Sequence, residues 1–318
     1  VKYMGEVRGF NVTMAEVQKW HDKMVEDGLS KTTIGIYLRA FRVAWNACEK
    51  YGYVTHDDYP FGKDDGKLTI PKGSTRREYY LDVNQMTELY HVFIEKKYPE
   101  DWDQDWREHA HESLGLFLVQ YLCNGFNLAD AARLVYDDHY FKSGKKSFRF
   151  IRKKTEDRSD TEIVIPIIEP LQKILDEIAA KPEKGALVFP QIYAGETDEN
   201  KQKARISQEN QNIRKRLGRL VKSMGWEVAP SGTWCRHSFA TNLSHAGGVP
   251  KEYIQEAMGH SVMSGTVTDR YIQSYPIAQQ MQFNSKLLKV GDQVDIMEEL
   301  QGLTPDQIKA LIALVKNA

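Results

Sequence analysis

The hydrophobic pattern of this 318-residue chain leaves the period of a helix at one place. Within residues 140–167, the stretch KSFRFIRKKTEDRSDTEIVIPI holds two short alternating or β-branched runs around a polar turn. Alternation sends successive side chains to opposite faces, so this stretch predicts a hairpin. Most of the remaining chain carries apolar residues at helical spacing. The chain therefore reads as mainly α with a small antiparallel β-sheet, an α+β fold.

The first 56 residues predict a small helical domain. Thr13-Met-Ala-Glu16 is a capping box, followed by Val17, Trp20 and Met24 at helical spacing. Gly28 ends that helix. Ser30 caps the next, where Ile34, Leu38, Phe41, Trp45 and Cys48 share one side and Arg39 and Arg42 lie off the stripe. Residues 57–80 are rich in Gly, Pro and charge with little period, and read as a linker. A second domain is expected over 81–285. Its helices are predicted at 83–96, 108–122, from 128 onward, 170–180, 208–224, 238–246 and 251–258. Residues 286–318 form a tail. There, Thr304-Pro-Asp starts a helix with Ile308, Leu311, Ile312 and Val315 on one stripe.

Composition is that of a globular protein, 41% hydrophobic and 27% charged, and no apolar run is long enough to span a bilayer. Three cysteines (Cys48, Cys123, Cys235), odd in number and far apart, read as reduced, buried thiols. The net charge of −1 conceals segregation. Residues 142–158 hold eight basic and two acidic side chains, and residues 201–222 hold eight and one. Residues 95–112 hold seven acidic and three basic. Such segregation either solvates separate faces or builds a basic surface for nucleic acid.

Several enzyme classes lack support. There is no glycine-rich phosphate loop, no HExxH or CxxC metal spacing and no G-x-S-x-G nucleophile turn. One constellation remains. GTWCRHSFAT holds Arg236 beside His237 at the expected mouth of a helix; EAMGHS holds His260; TVTDRYIQSYP holds Tyr271; the basic hairpin holds Lys154. Phosphoryl transfer on DNA without metal uses this set. A tyrosine hydroxyl attacks the phosphodiester. Cations neutralise its non-bridging oxygens, and a lysine protonates the departing 5′ oxygen. Each residue alone has an ordinary structural reading, as a capped histidine, a packed tyrosine or a solvated strand.

RHSFATNL…GVPKEYIQEAMGHS…TDRYI resembles the catalytic segment of tyrosine recombinases, the phage-integrase family. GLSKTTIGIYLRAFRVAWNACEKYGYV…YPFGK resembles the core-binding domain of integrases from Bacteroides-type mobile elements. Together they cover about residues 10–285. The resemblance implies site-specific cleavage and rejoining of DNA through a 3′-phosphotyrosine, without metal or other cofactor. It makes Tyr271 the nucleophile, with Tyr275 a nearby rival, and Arg236 the second catalytic arginine. His260 becomes the histidine on the phosphate or nucleophile, Lys154 the general acid, and His237 a structural neighbour. Arg236 at a helix start would meet a phosphate together with backbone N–H groups, and the small SFAT residues would let that helix pack closely.

The chain departs from the family in two respects. Thr233 stands where many members have a histidine. In YLCNGFNLADAARL, Asn127 falls at the usual first arginine, and Asn124 at the position some Bacteroides-type relatives use instead. Losing that cation should cost on the order of 3 kcal/mol in the transition state. Three accounts stay open: Arg133 or Arg205 fills the gap, the enzyme runs slowly with one arginine, or the chain is a catalytically weakened DNA-binding protein of the same fold. The implied partners are double-stranded DNA, clamped between the two domains, and three further protomers in a homo-tetramer on paired sites. No membrane is involved, and the compartment is a bacterial cytoplasm, at the nucleoid. Arg39, Arg42, Arg76, Arg77, Arg152, Lys153 and Arg205 are the expected phosphate contacts. The tail helix either folds back on its own domain or docks on a neighbouring protomer.

Overall fold

The computed structural model describes residues 12–64, 66–73, 79–151, 162–259 and 274–290. The chain divides into two compact units, Val1–Glu78 and Tyr79–Ala318.

In the first unit, α1 (Met14–Glu26) and α2 (Lys31–Lys50) are capped by Thr13 and Ser30, whose side chains accept from Glu16 and Thr33 N–H. Val17, Met24, Ile34 and Leu38 face one another in the core. Two helices leave that core open on one side, and part of the expected linker closes it. Phe61 and Leu68 are buried there, bridged to each other, with Tyr59 and Ile70 packed around them. Phe41 meets Trp20, Trp45 and Phe61 edge-on at 5.4, 5.8 and 6.0 Å. Gly35, inside α2, admits the backbone of this returning segment, since a Cβ there would lie 2.5 Å from the Pro71 carbonyl oxygen. Residues 59–71 are therefore part of the first unit rather than linker. Their apolar residues are few and aperiodic, so composition concealed them.

The second unit is built around α4 (Gln104–Leu122). Residues 113–122 of this helix are buried on every side, as a run apolar all round requires. Against it pack α3 (Val83–Glu95), α7 (Glu169–Ile178), α8 (Glu199–Ser223) and α9 (Gly232–His245). Between α4 and α7 lie two short helices, α5 (Leu128–Ala131) and α6 (Asp138–Lys142), and the expected hairpin. Strands β1 (Ser147–Ile151) and β2 (Glu162–Pro166) pair antiparallel with Phe148 opposite Ile165 and Phe150 opposite Ile163. Those four side chains face the core. Helices α10 (Lys251–Ala257) and α11 (Ile277–Asn284) close the unit.

Three helix starts differ from the sequence reading. Helix α4 begins at Gln104 rather than residue 108, capped by Asp103, whose side chain accepts from the Trp106 N–H. Helix α8 begins nine residues before the expected Gln208, because Asp198 caps a polar but helix-favouring run whose buried residues all lie in its second half. Helix α9 begins at Gly232 rather than Ser238, after Ser231 in extended conformation. Among the described residues, no helix is long and apolar enough to cross a membrane. The three cysteines are free, with Cys123 and Cys235 buried.

Candidate active site around Arg236

The chain leaves α4 through a turn in which Asn124 and Gly125 both take positive φ, 55° and 69°. Helix α9 crosses this turn at contact. A Cβ on Gly125 would lie 2.9 Å from Arg236 Cα and 3.3 Å from Phe239 Cβ. Glycine is required here both for conformation and for space. On the side of the turn, the close approach depends on Gly125. On α9, Cys235 and Phe239 are buried in the core, and burial raises the Cys235 thiol pKa well above the ordinary range, leaving it inert.

Ser238 has a different use. Its Oγ accepts the Leu81 N–H at 2.9 Å, and one turn on, Asn242 Nδ2 donates to the Leu81 carbonyl at 3.1 Å and to Tyr121 Oη at 2.8 Å. Trp234 stacks on Tyr79 at 5.5 Å, and His245 meets the edge of Tyr80. One face of α9 thus grips the chain as it enters the second unit.

Arg236 lies on another face of the same helix. It is the fifth residue of α9, not its start, so the free N–H groups of the first turn belong to residues before it. Its half-buried guanidinium is oriented by two carbonyls. One nitrogen donates to Gly125 O at 3.3 Å, the other to Met258 O at 2.9 Å. Met258 is two residues before His260, so Arg236 also fixes the end of α10. Thr233, one turn earlier, is exposed, with its hydroxyl 3.1 Å from Ser231 Oγ. His237 is partly buried beside them.

Asn124 and Asn127, the two amides at the expected arginine positions, differ sharply. Asn124 is fully buried. Its Nδ2 donates to Val164 O at 3.0 Å, and its Oδ1 accepts from Asn284 Nδ2 at 3.0 Å; Asn284 in turn accepts from Tyr253 Oη at 2.7 Å. This chain ties the turn to β2, α10 and α11. Both ends of the Asn124 side chain are thus engaged inside the protein. Asn127 is exposed at the N-cap of α5, and its N–H donates to Asp130 Oδ2 at 3.3 Å.

The rival tyrosine is a packing residue. Tyr275 sits edge-on to Tyr253 and Phe283, at 5.5 and 5.8 Å. Burial, then the nearby Glu252 and Glu256, raise its pKa, opposite to what a nucleophile needs. Arg205 is exposed on α8 and lines a cleft of about 260 Å³ with His109, Glu112 and Glu209. Arg39 and Arg42 are exposed on α2 in the first unit. Lys154, His260, Tyr271, Arg76, Arg77, Arg152 and Lys153 lie outside the described residues.

Gly125, Met258, Asn284, Tyr253 and Asp130 were not singled out from sequence. The Asn124-Gly125 pair carried the one local signal, a turn dipeptide; the others act through contacts far apart in the chain.

A sequence model described as "Phage integrase family" matches residues 80–276. Comparison with curated proteins yields no significant match. Among solved structures, the Tn1549 transposon integrase in complex with a circular intermediate DNA is 16% identical with a TM-score of 0.52, over 95% of this chain and 90% of that one. The same integrase with transposon right end DNA gives 16% and 0.51, over 94% and 88%. A lambda integrase dimer bound to a COC′ core site gives 12% and 0.50, over 92% and 87%. At these identities the likeness speaks for the fold. The family match covers more than half of the chain and takes in Arg236, the turn beneath it and the segment that runs through His260 and Tyr271, so the chain belongs to the phage integrase family, the tyrosine-type site-specific recombinases.

Proposed function

We propose that this recombinase cuts and rejoins duplex DNA through a covalent bond to Tyr271. The Tyr271 oxygen attacks the scissile phosphorus. The bond to the 5′ oxygen breaks as the phosphotyrosine forms, and Lys154 gives the 5′ oxygen its proton. A 5′ hydroxyl from the exchanged strand then reverses the step and releases the tyrosine. Arg236 donates to the non-bridging oxygens, where negative charge grows, and His260 hydrogen-bonds the phosphate or the nucleophile. The carrying observation is the double carbonyl anchorage of Arg236, which pre-orients a guanidinium beside the end of α10, two residues before His260.

The first unit serves as the core-binding domain, with Arg39 and Arg42 as phosphate contacts; Arg76, Arg77, Arg152 and Lys153 add to them. The working assembly is a homo-tetramer on paired sites, with the C-terminal tail exchanged between protomers. The reading is tested by covalent trapping on nicked duplexes from the ends of the parent mobile element. The unmutated protein should give an adduct that survives denaturation. Tyr271→Phe should bind the same DNA and give none. An adduct from Tyr271→Phe would overturn the assignment of the nucleophile, and binding without any adduct would leave a DNA-binding protein of recombinase fold.

A further inference from the structure

A second arginine, Arg133, follows α5, the short helix that leaves this turn. Asp130 is buried, 6% exposed. One of its oxygens takes the Asn127 N–H at 3.3 Å; the other lies 3.5 Å from an Arg133 terminal nitrogen. Arg133 Nε donates to Ala129 O at 3.3 Å, and its guanidinium carbon lies 5.3 Å from the centre of the Phe150 ring. Phe150 itself packs at 4.8 Å on Phe126, inside the turn. Arg133 is thus braced by a carboxylate, a carbonyl and an aromatic face, and its side chain keeps 29% of its surface exposed. A fork of donors fixed on one side and open on the other is the arrangement that suits a phosphate.

Of the competing cations among the described residues, Arg205 lines the cleft between α4 and α8 with Glu112 and Glu209. Arg149 is on the outward face of β1, paired with Asp137 and Glu162. We infer that Arg133 supplies the second cation at the scissile phosphate, in place of the arginine absent at Asn127. This rests on the recombinase reading above. Arg133 donates N–H bonds to a non-bridging oxygen while the tyrosine–phosphorus bond forms and the phosphorus–5′ oxygen bond breaks. Asp130 holds it as a carboxylate would hold an arginine projecting from position 127.

The test is single-turnover adduct formation on a nicked duplex, with DNA affinity and thermal melting measured alongside. Five proteins are compared: the unmutated chain, Arg133→Gln, Arg133→Lys, Asn127→Arg, and the double variant Arg133→Gln/Asn127→Arg. Arg133→Gln should slow adduct formation about a hundredfold with affinity nearly unchanged, while melting falls because the buried Asp130 loses its ion pair. Arg133→Lys should lie between, and the double variant should regain at least tenfold. Adduct formation by Arg133→Gln at the unmutated rate would overturn the inference. So would a loss that tracks lowered melting and is not rescued by Asn127→Arg. An adduct from Asn127→Arg when the unmutated chain gives none would also overturn it, with the recombinase reading intact. No adduct from any of the five would sink that reading itself.

Discussion

The Cα of Arg236 stands where a Cβ on Gly125 would come within 2.9 Å. The clash would be with backbone, at a residue whose φ is 69°, so a side chain there meets both strain and overlap. Positive φ costs about 1–2 kcal/mol outside glycine, and overpacking adds about 1–3 kcal/mol. Gly125→Ala should therefore lose about 2–5 kcal/mol in urea unfolding, and adduct formation should fall further than stability alone explains. A loss under 0.5 kcal/mol would show that the turn yields easily.

The two amides of the turn should respond in opposite ways to arginine. Asn124 has no exposed surface, and Asn124→Arg would bury a guanidinium while breaking its bonds to Val164 and Asn284. An uncompensated buried charge costs about 3–5 kcal/mol. Asn127→Arg is exposed and should change stability by less than about 1 kcal/mol. Thermal melting of the pair checks this, and equal melting temperatures would contradict the buried placement of Asn124.

Arg236→Lys keeps the charge but has one nitrogen for two carbonyls that lie on separate segments. Adduct formation should drop about a hundredfold or more while DNA binding changes little. Binding measured by mobility shift beside covalent trapping separates the two. Equal losses in both would place Arg236 in affinity rather than in the chemical step.

Tyr275→Phe should form the adduct as the unmutated chain does, since Tyr275 packs on Tyr253 and Phe283. Loss of the adduct in this variant, with its retention in Tyr271→Phe, would exchange their roles.

Glu112 lines the cleft between α4 and α8. Burial first, then Glu209, raise its carboxyl pKa, and Arg216 and His109 oppose them. A carboxyl raised in the folded state binds its proton more tightly there than in the unfolded chain. Its burial therefore costs nothing below the unfolded value and reaches its full penalty above the folded one. Glu112→Gln should stabilise the protein at pH 7–8 by a modest amount that fades as the pH falls through about 4.5, the ordinary value. Denaturation curves at pH 4 and 7.5 decide it; a gain independent of pH would point to packing instead.

Local signals in the sequence determined a good deal. Capping by Thr13 and Ser30, the apolar run of α4 and the alternation in the hairpin each depend on neighbours within a few residues, so all three were legible. The motif around Arg236, with its spacing to His260 and Tyr271, carried the family. Tertiary structure decided the rest. Phe61 and Leu68 belong to the first core because two helices leave an open face, which no period in a polar stretch reveals. Asn124 and Asn127 are the same residue type three positions apart, one sealed in a polar chain to Asn284 and Tyr253, the other open at a helix cap. Arg133 acquires a place beside the turn only because Asp130 and Phe150 converge on it. Hydrogen bonds and burial join residues distant in the chain, and a linear pattern records the residue types without recording which of them meet.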